Sequence, residues 1–396
     1  MAEDPGNEVD ILREAVGSGD WATALPILQR KARDEAGHSR HWSNLASAQR
    51  ASGQSPTAAL KRAVLIDPGI PSYLNDLGAD DREGKTAASR LLVLDPLHGA
   101  AALMSALKAL GEQNRTHSFR LLRRLRISEP ANLDATFILG QFLDLAGRAG
   151  EAIRLYRATL CLAPDDPMGV RRDLARHGVA PVRQAYSSAY VKRVFDGYAK
   201  NFDAHLTERL KYSGPEELRR LGLASGILPD ARKVEHIIDI GCGTGLSGAA
   251  VRPHCAELTG IDISPEMLGI AGEKKIYDRL VEGEAVAALE REDTLYDAAI
   301  AADVSSYIGD LEPFFRKVGA KLQPGGGLLM TAHELTGTDE DGIGIGLDGA
   351  HSHSLDYLET AARTAGLTLL DARRGSMREE GGVPLSTLFL AFTKPV

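Results

Sequence analysis

At 396 residues the chain is long for one domain and has room for two hydrophobic cores. A formal charge of -8 excludes a general nucleic-acid binder, which needs a clustered excess of Lys and Arg. Three scattered cysteines (Cys161, Cys242, Cys255), an acidic N-terminus and no apolar run of membrane-spanning length leave a cytoplasmic protein that binds neither nucleic acid nor membrane as the expectation.

From about Val9 to Pro164 the chain is rich in Ala, Leu and Arg, with apolar residues spaced three and four apart, the period of amphipathic helices. The basic run Arg120 to Arg126 reads as a solvated face of one of them. Apolar runs close on Pro68, Pro96, Pro130 and Pro164, at intervals of 28, 34 and 34 residues. A helix pair repeating at 34 residues buries its apolar face only by stacking on neighbours. The segment 139–164, with Leu139-Gly140, Gly147, Ala152, Tyr156 and Pro164, resembles a tetratricopeptide repeat. A weaker unit carries Trp42, Leu45, Ala46, Gly53 and Ala63. The resemblance implies a helical repeat array over residues 1–165, serving either a protein partner in its concave face or assembly alone.

Asp165, Asp166 and Pro167 change the character of the chain, and Gly178 and Pro181 break helices, so residues 166–188 are read as a linker. Tyr190, Val191, Val194, Phe195, Tyr198 and Phe202 follow as an aromatic stripe at helical spacing, either plain core or a lid over a cofactor.

In residues 189–396 strand-like runs alternate with helices. They are Glu235 to Ile240, Glu257 to Ile261, Arg279 to Val281, Ala298 to Ala301, Gly327 to Thr331, Leu367 to Ala372 and Leu385 to Thr393. This is the pattern of an α/β, Rossmann-like, mostly parallel seven-stranded sheet. Arg373 to Pro384 is too short for a crossover helix, which predicts an antiparallel last strand.

The first strand ends in Asp239-Ile-Gly241-Cys242-Gly243-Thr-Gly245, a turn where a nucleotide can lie on bare backbone. Gly243-x-Gly245-x-x-Gly248 with Asp262 downstream suits a dinucleotide, whereas a carboxylate from Asp239 facing the turn repels a pyrophosphate and welcomes a cation. S-adenosylmethionine is such a ligand. The run Asp239-x-Gly241-x-Gly243-x-Gly245, with Gly260-Ile-Asp262-Ile263-Ser264-Pro-Glu-Met267, Gly283-Glu284, Asp303-Val304 and Pro324-Gly-Gly-Gly327, resembles class I S-adenosylmethionine-dependent methyltransferases. Together with the repeat segment, Tyr190 to Asp203 and Ala302 to Asp310 resemble a subgroup of bacterial tetratricopeptide-repeat methyltransferases. The resemblance implies that S-adenosylmethionine is bound by Asp239, Gly241, Cys242, Gly243, Gly245, Asp262, Ile263, Met267 and Glu284, under Tyr198 of the lid.

Methyl transfer from a sulfonium is an in-line displacement that needs positioning and dryness, and a base only where the acceptor arrives protonated. Asp303, Tyr307, His333 and His353 are the candidates at the carboxyl ends of the strands, beside Glu334 and His351. His353 serves equally as a base or a loop anchor, with Ser354 capping the next helix; Cys242 reads as a small buried spacer. No metal site is expected, the His351-x-His353 pair lacking further ligands nearby. The acidic, glycine-rich loop from Thr336 to Gly349 disfavours nucleic acid at the entrance. The expected function is methylation of a small molecule. A protein acceptor presented by the repeat groove and a non-catalytic scaffold stand as alternatives.

Overall fold

The computed structural model describes residues 5–66, isolated positions between 102 and 109, 114–335, 341–346, 349–380 and 383–396. The repeat unit expected between Pro68 and Pro96, and residues 336–340 and 347–348 of the acidic loop, lie outside the described residues. The chain divides into two compact units, Met1–Leu155 and Tyr156–Val396.

The elements named in the first unit are all helices, Pro5–Ser18, Trp21–Asp34, Ser39–Ala51, Thr57–Ile66, Arg115–Ser128 and Leu133–Leu145, joined by turns, and the division falls within the helix Ala149–Leu162. Side chains start several of them. Asp20 accepts from Thr23 N at 3.3 Å and Asn132 from Ala135 N at 3.0 Å, satisfying amides that the helix itself leaves open. Left-handed Gly53 and Gly147 turn the chain after Ser39–Ala51 and Leu133–Leu145. Alternating small and large residues, Leu25, Leu28, Ala32, Leu45, Ala46, Ala59, Leu60 and Ala63, let the early helices pack closely into one core, with Trp42 at its edge.

The second unit is built on seven strands, β1 (Val234–Ile240), β2 (Cys255–Asp262), β3 (Arg279–Glu282), β4 (Tyr296–Ala301), β5 (Leu322–His333), β8 (Thr368–Glu380) and β9 (Val383–Thr393). Their order is β3-β2-β1-β4-β5-β9-β8. β1 pairs parallel with β2 and β4, and β9 is antiparallel to both β5 and β8. β6 (Ile343–Ile345) and β7 (His351–His353) form a separate two-stranded ribbon. Both faces of the sheet are covered. Ile238, Ile240, Leu328, Phe314, Phe315 and Leu358 lie in one core cluster, and Leu218, Leu221, Ile237, Leu258, Ile300 and Leu329 in another.

Two expectations change here. The stretch 166–188 is not an extended linker: it holds the helix Val170–Arg176 and a 3-10 turn at Val182–Gln184. Asp166 makes that fold, its two oxygens accepting from Val170 N at 2.8 Å and Arg171 N at 3.0 Å. Arg373 to Glu380 is not a connection but continues β8, paired to β9 as far as Glu380 against Val383. Backbone pairing with β9 outweighs the polar sequence of that stretch.

Candidate functional site

The strand order reverses between β1 and β4, where an open parallel sheet leaves a crevice at its carboxyl end. A cavity of about 540 Å³ lies there, lined from below by Gly241, Cys242, Gly243, Asp262, Ile263, Glu284, Asp303 and Val304. Val191, Phe195, Tyr198 and Phe202 line it as well, from the helix Ser188–Tyr198 and the residues after it. The aromatic stripe therefore borders the cavity.

Backbone shape at the first turn is set by glycine. Gly241 has φ +67, and a Cβ there would meet Val304 Cγ2 at 2.5 Å; Gly243 and Gly245 are also left-handed. Three amides of this turn are already engaged: Cys242 N donates to Ile261 O at 2.9 Å, Gly243 N to Asp262 Oδ2 at 2.8 Å and Gly245 N to Cys242 O at 2.8 Å. Asp262 also accepts from Ser264 N through Oδ1 at 2.8 Å. Burial raises its carboxyl against the pull of these backbone donors.

The helix Ser188–Tyr198 and the residues after it are tied to the neighbouring loops by charge and hydrogen bonding. Lys192 Nζ donates to Ile263 O at 3.3 Å and to Glu282 at 3.0 Å, and Ser264 Oγ donates to Asp196 at 2.6 Å. Asp203 accepts from Thr244 Oγ1 and pairs with Lys274 at 2.7 Å. Aromatic edges close the same side, with Tyr307 centred 5.1 Å from Phe195 and 5.5 Å from Tyr186. Burial pushes the Tyr307 phenol upward.

Asp303 sits just past β4 in the left-handed region (φ 58), a conformation that Asp tolerates better than most residues. Its amide donates to Thr331 Oγ1 at 2.7 Å. Its carboxylate pairs with Arg378 of β8, accepts from Ser306 Oγ at 2.5 Å and lies 3.2 Å from His333 Nε2. Burial by itself raises Asp303, but Arg378, with His333 and Ser306, outweighs it and holds the carboxyl below its ordinary value.

The other expected residues are placed as follows. Tyr198, beside the cavity, hydrogen-bonds to His205 Nδ1, and burial raises its phenol. Glu284 borders the cavity, but its carboxylate caps the next helix, accepting from Val286 N at 3.1 Å and Ala287 N at 3.0 Å. Gly245, Met267, His333 and Asp239 are not among the lining residues. Asp239 is fully buried; its Oδ2 accepts from the Tyr277 hydroxyl at 2.7 Å while Oδ1 has no partner. Burial pushes it up to about 7, with the nearby Asp262 charge adding to the rise. Tyr277, its partner, lies against Gly245 and Gly248 of the glycine turn, so Asp239 meets that turn through the phenol and not through the cavity lining. His353 is likewise away from the cavity and fully buried, its Nε2 on Gly309 O at 3.0 Å, and burial pushes it down to about 4. His351 meets Val182 O at 2.8 Å, and Glu334 pairs with Arg374 at 2.6 Å. Ser354 does cap the helix Leu355–Thr364.

Arg183, Tyr186, His205, Tyr212 and Arg378 line the cavity without having been read from sequence. Arg183 and Tyr186 lay in the presumed linker and Arg378 in the presumed connection, so no motif marked them. The lid polar residues Lys192, Asp196 and Asp203 did carry a signal, since they share the helical stripe of Tyr190 to Phe202.

Residues 238–328 match a family model described as a methyltransferase domain. Over 101 residues the chain is 34% identical to a demethylmenaquinone methyltransferase of Tropheryma whipplei, covering 24% of this chain and 41% of that protein. Over 102 residues it is 24% identical to a ubiquinone biosynthesis O-methyltransferase of Coxiella burnetii, covering 25% of this chain and 44% of that protein. The chain thus spans less than half the length of the curated relatives it matches. Among solved structures, N-methyltransferase NodS from Bradyrhizobium japonicum in complex with S-adenosyl-L-homocysteine aligns at 23% identity and a TM-score of 0.36, covering 46% of this chain and 86% of that one. The matched residues fall within the second unit, from within β1 into β5. No helix among the described residues is long and apolar enough to cross a membrane.

Proposed function

We propose that this chain is an S-adenosylmethionine-dependent methyltransferase acting on a small-molecule acceptor. The observation that carries the choice of cofactor is the state of the glycine turn. Pyrophosphate sites at such turns rely on amides aimed at the ligand, and here the amides of Cys242, Gly243 and Gly245 are already bonded within the protein. The lining adds four carboxylates, Asp262, Glu284, Asp303 and Asp310, against two guanidiniums, Arg183 and Arg378. That balance suits a cationic, phosphate-free ligand.

When bound, S-adenosylmethionine supplies an electrophilic methyl group on a sulfonium. The chain's own contribution is to hold, orient and dry it. Asp262 offers the remaining lone pairs of its two oxygens to the ribose hydroxyls. Ile263 and Glu284 border the nucleoside end, and the bare backbone of Gly241 and Gly243 lets the ligand approach. Phe195, Tyr198 and Phe202 exclude water from the crevice. Of the four catalytic candidates, Asp303 and Tyr307 reach the cavity. Asp303 acts as a fixed negative charge and only a weak base, since Arg378 holds its carboxyl below the ordinary value and so lowers its proton affinity; His333 positions it, and His353 anchors the β7 loop.

The small-molecule acceptor is supported by a concave, aromatic-walled cavity of about 540 Å³. The relatives named for demethylmenaquinone and for ubiquinone biosynthesis point the same way. The helical unit we assign as a tetratricopeptide-like array for protein interaction or assembly, supported by the successive helices and buried small residues at Ala46, Ala63 and Ala152. Cytoplasmic residence is part of the proposal and rests on three unpaired cysteines.

Calorimetric titration with S-adenosylhomocysteine, against NAD, tests the cofactor. Tight NAD binding with none of the homocysteine compound sinks the proposal. Transfer of labelled methyl in lysate then reads the acceptor: label in small metabolites supports the assignment and label in polypeptide overturns it. A truncation to separate the units belongs before Ala149, because a cut at Tyr190 removes Arg183, Tyr186 and Ser187 from the cavity wall.

A further inference from the structure

The strongest unassigned group of ligating side chains is in the first unit, apart from the cavity. Glu35 and His38 stand in the turn that joins the helix Trp21–Asp34 to Ser39–Ala51, and His41 in the first turn of that second helix, at intervals of three residues. Glu35 Oε2 lies 2.9 Å from His41 Nε2 and 3.7 Å from His38 Nδ1. All three ligating atoms lie within 4.8 Å of one another.

We propose that Glu35, His38 and His41 form a divalent-metal site that takes Zn²⁺ and ties the end of one helix to the start of the next. Tetrahedral zinc with bonds near 2.0–2.1 Å separates neighbouring ligand atoms by about 3.3 Å. The observed 2.9 and 3.7 Å from Glu35 bracket that edge, and the third separation, between the two imidazole nitrogens, is within 4.8 Å. Two imidazoles and one carboxylate suit zinc better than magnesium or calcium, which prefer all-oxygen shells.

The turn is prearranged for this. His38 N donates to Glu35 O at 2.9 Å, His41 N to His38 O at 3.2 Å, and Trp42 Nε1 to Ala36 O at 3.1 Å. Buried Ala32 and Leu45 hold the flanking turns in the core of the unit. Little chain entropy is then lost on binding. Glu35 also caps the negative end of the first helix, which offsets the unfavourable positive end of the second. The side chain of His38 is 71% exposed and that of Glu35 53%, so a fourth position opens to water. By contrast, the more conspicuous pair His351 and His353 directs its Nε2 atoms at the carbonyls of Val182 and Gly309.

The test uses the untagged full-length chain, stripped with chelator and titrated calorimetrically with ZnCl₂, beside Glu35→Gln, His38→Gln and His41→Gln. One equivalent of Zn²⁺ is expected in the tightest class. Each substitution should weaken that class at least about tenfold, the scale of lost metal-site contacts. Trp21 and Trp42 both lie in this unit, so the tryptophan-monitored melting temperature should rise with Zn²⁺ in the parent and not in the variants. His38 is exposed enough that its substitution leaves the core intact and keeps the comparison fair. Absence of saturable binding, or tight binding equal in the parent and all three variants, overturns the proposal.

Discussion

Asp262→Ala tests the cavity most directly, because one carboxylate serves both the loop and the ligand. The side chain is 8% exposed and accepts from Gly243 N and Ser264 N, each at 2.8 Å, with one lone pair per oxygen left toward the cavity. Removing it takes the charged acceptor from the ribose hydroxyls, a loss of about 1–3 kcal/mol, or roughly 5- to 150-fold in affinity. The two loop amides lose their acceptors as well. Each costs about 1 kcal/mol of folding stability, at the low end of the usual range because water can enter from the cavity. Calorimetry with S-adenosylhomocysteine and urea unfolding read the two effects separately. An analogue without the 2′ and 3′ hydroxyls isolates the first, since the parent and the variant should bind it about equally. Unchanged affinity for the complete ligand in Asp262→Ala refutes the assignment.

Three further outcomes follow from the same geometry. Gly241→Ala places a methyl 2.5 Å from Val304 Cγ2 at a φ of +67, so we expect S-adenosylhomocysteine affinity to drop by at least about tenfold and stability by about 1–2 kcal/mol; a neutral result in both assays contradicts the need for bare backbone there. Arg378→Met leaves the Asp303 carboxylate largely buried without its cation, with an expected loss of roughly 3 kcal/mol in urea unfolding. In a double-mutant cycle with Asp303→Asn the pair should lose less than the sum of the single changes, and strict additivity excludes the coupling. His353 is pushed down to about 4 from 6.5, so between those values the unfolded chain binds more protons and stability falls as pH drops from 6.5 toward 4. The loss attributable to this ring is on the order of 1 kcal/mol at pH 5.5 and about 2–3 at pH 4.5, flattened in His353→Gln. An imidazole midpoint near 6.5 in a proton NMR titration of the native chain speaks against it.

The architecture of the second unit was legible because its strands are apolar, short and bounded by glycine. Val234–Ile240 and Tyr296–Ala301 lie within a residue or two of where the run of β-branched and small apolar residues puts them. The antiparallel end was legible from a length argument alone. β8 was the failure. Arg373-Arg-Gly-Ser-Met-Arg-Glu-Glu has no strand pattern of its own, and only its partner β9 holds it extended, with Met377 buried and Arg378 delivered to the cavity. A local reading of sequence cannot see a strand whose conformation is set by a neighbour. The same blindness hid Arg183 and Tyr186, which a short helix and a 3-10 turn bring to the cavity from a stretch that looked like a linker.

At the cofactor turn the sequence places Asp239 as an acid facing the glycines. In the structure Asp239 is buried and hydrogen-bonded to Tyr277, and burial pushes its carboxyl up to about 7. The preference against phosphate comes from the neighbouring backbone. A glycine turn discriminates by the amides it leaves open, and Asp262, Ile261 and Cys242 have closed three of them by accepting their hydrogens. Those bonds depend on how β1 and β2 pair: Asp239 stands opposite Gly260 and Ile240 opposite Ile261, which carries Asp262 up to Gly243 N at the adjacent strand end. Register across a sheet is not written in a motif, and that is why Gly-x-Gly-x-x-Gly reads the same for two cofactors while its hydrogen bonds separate them.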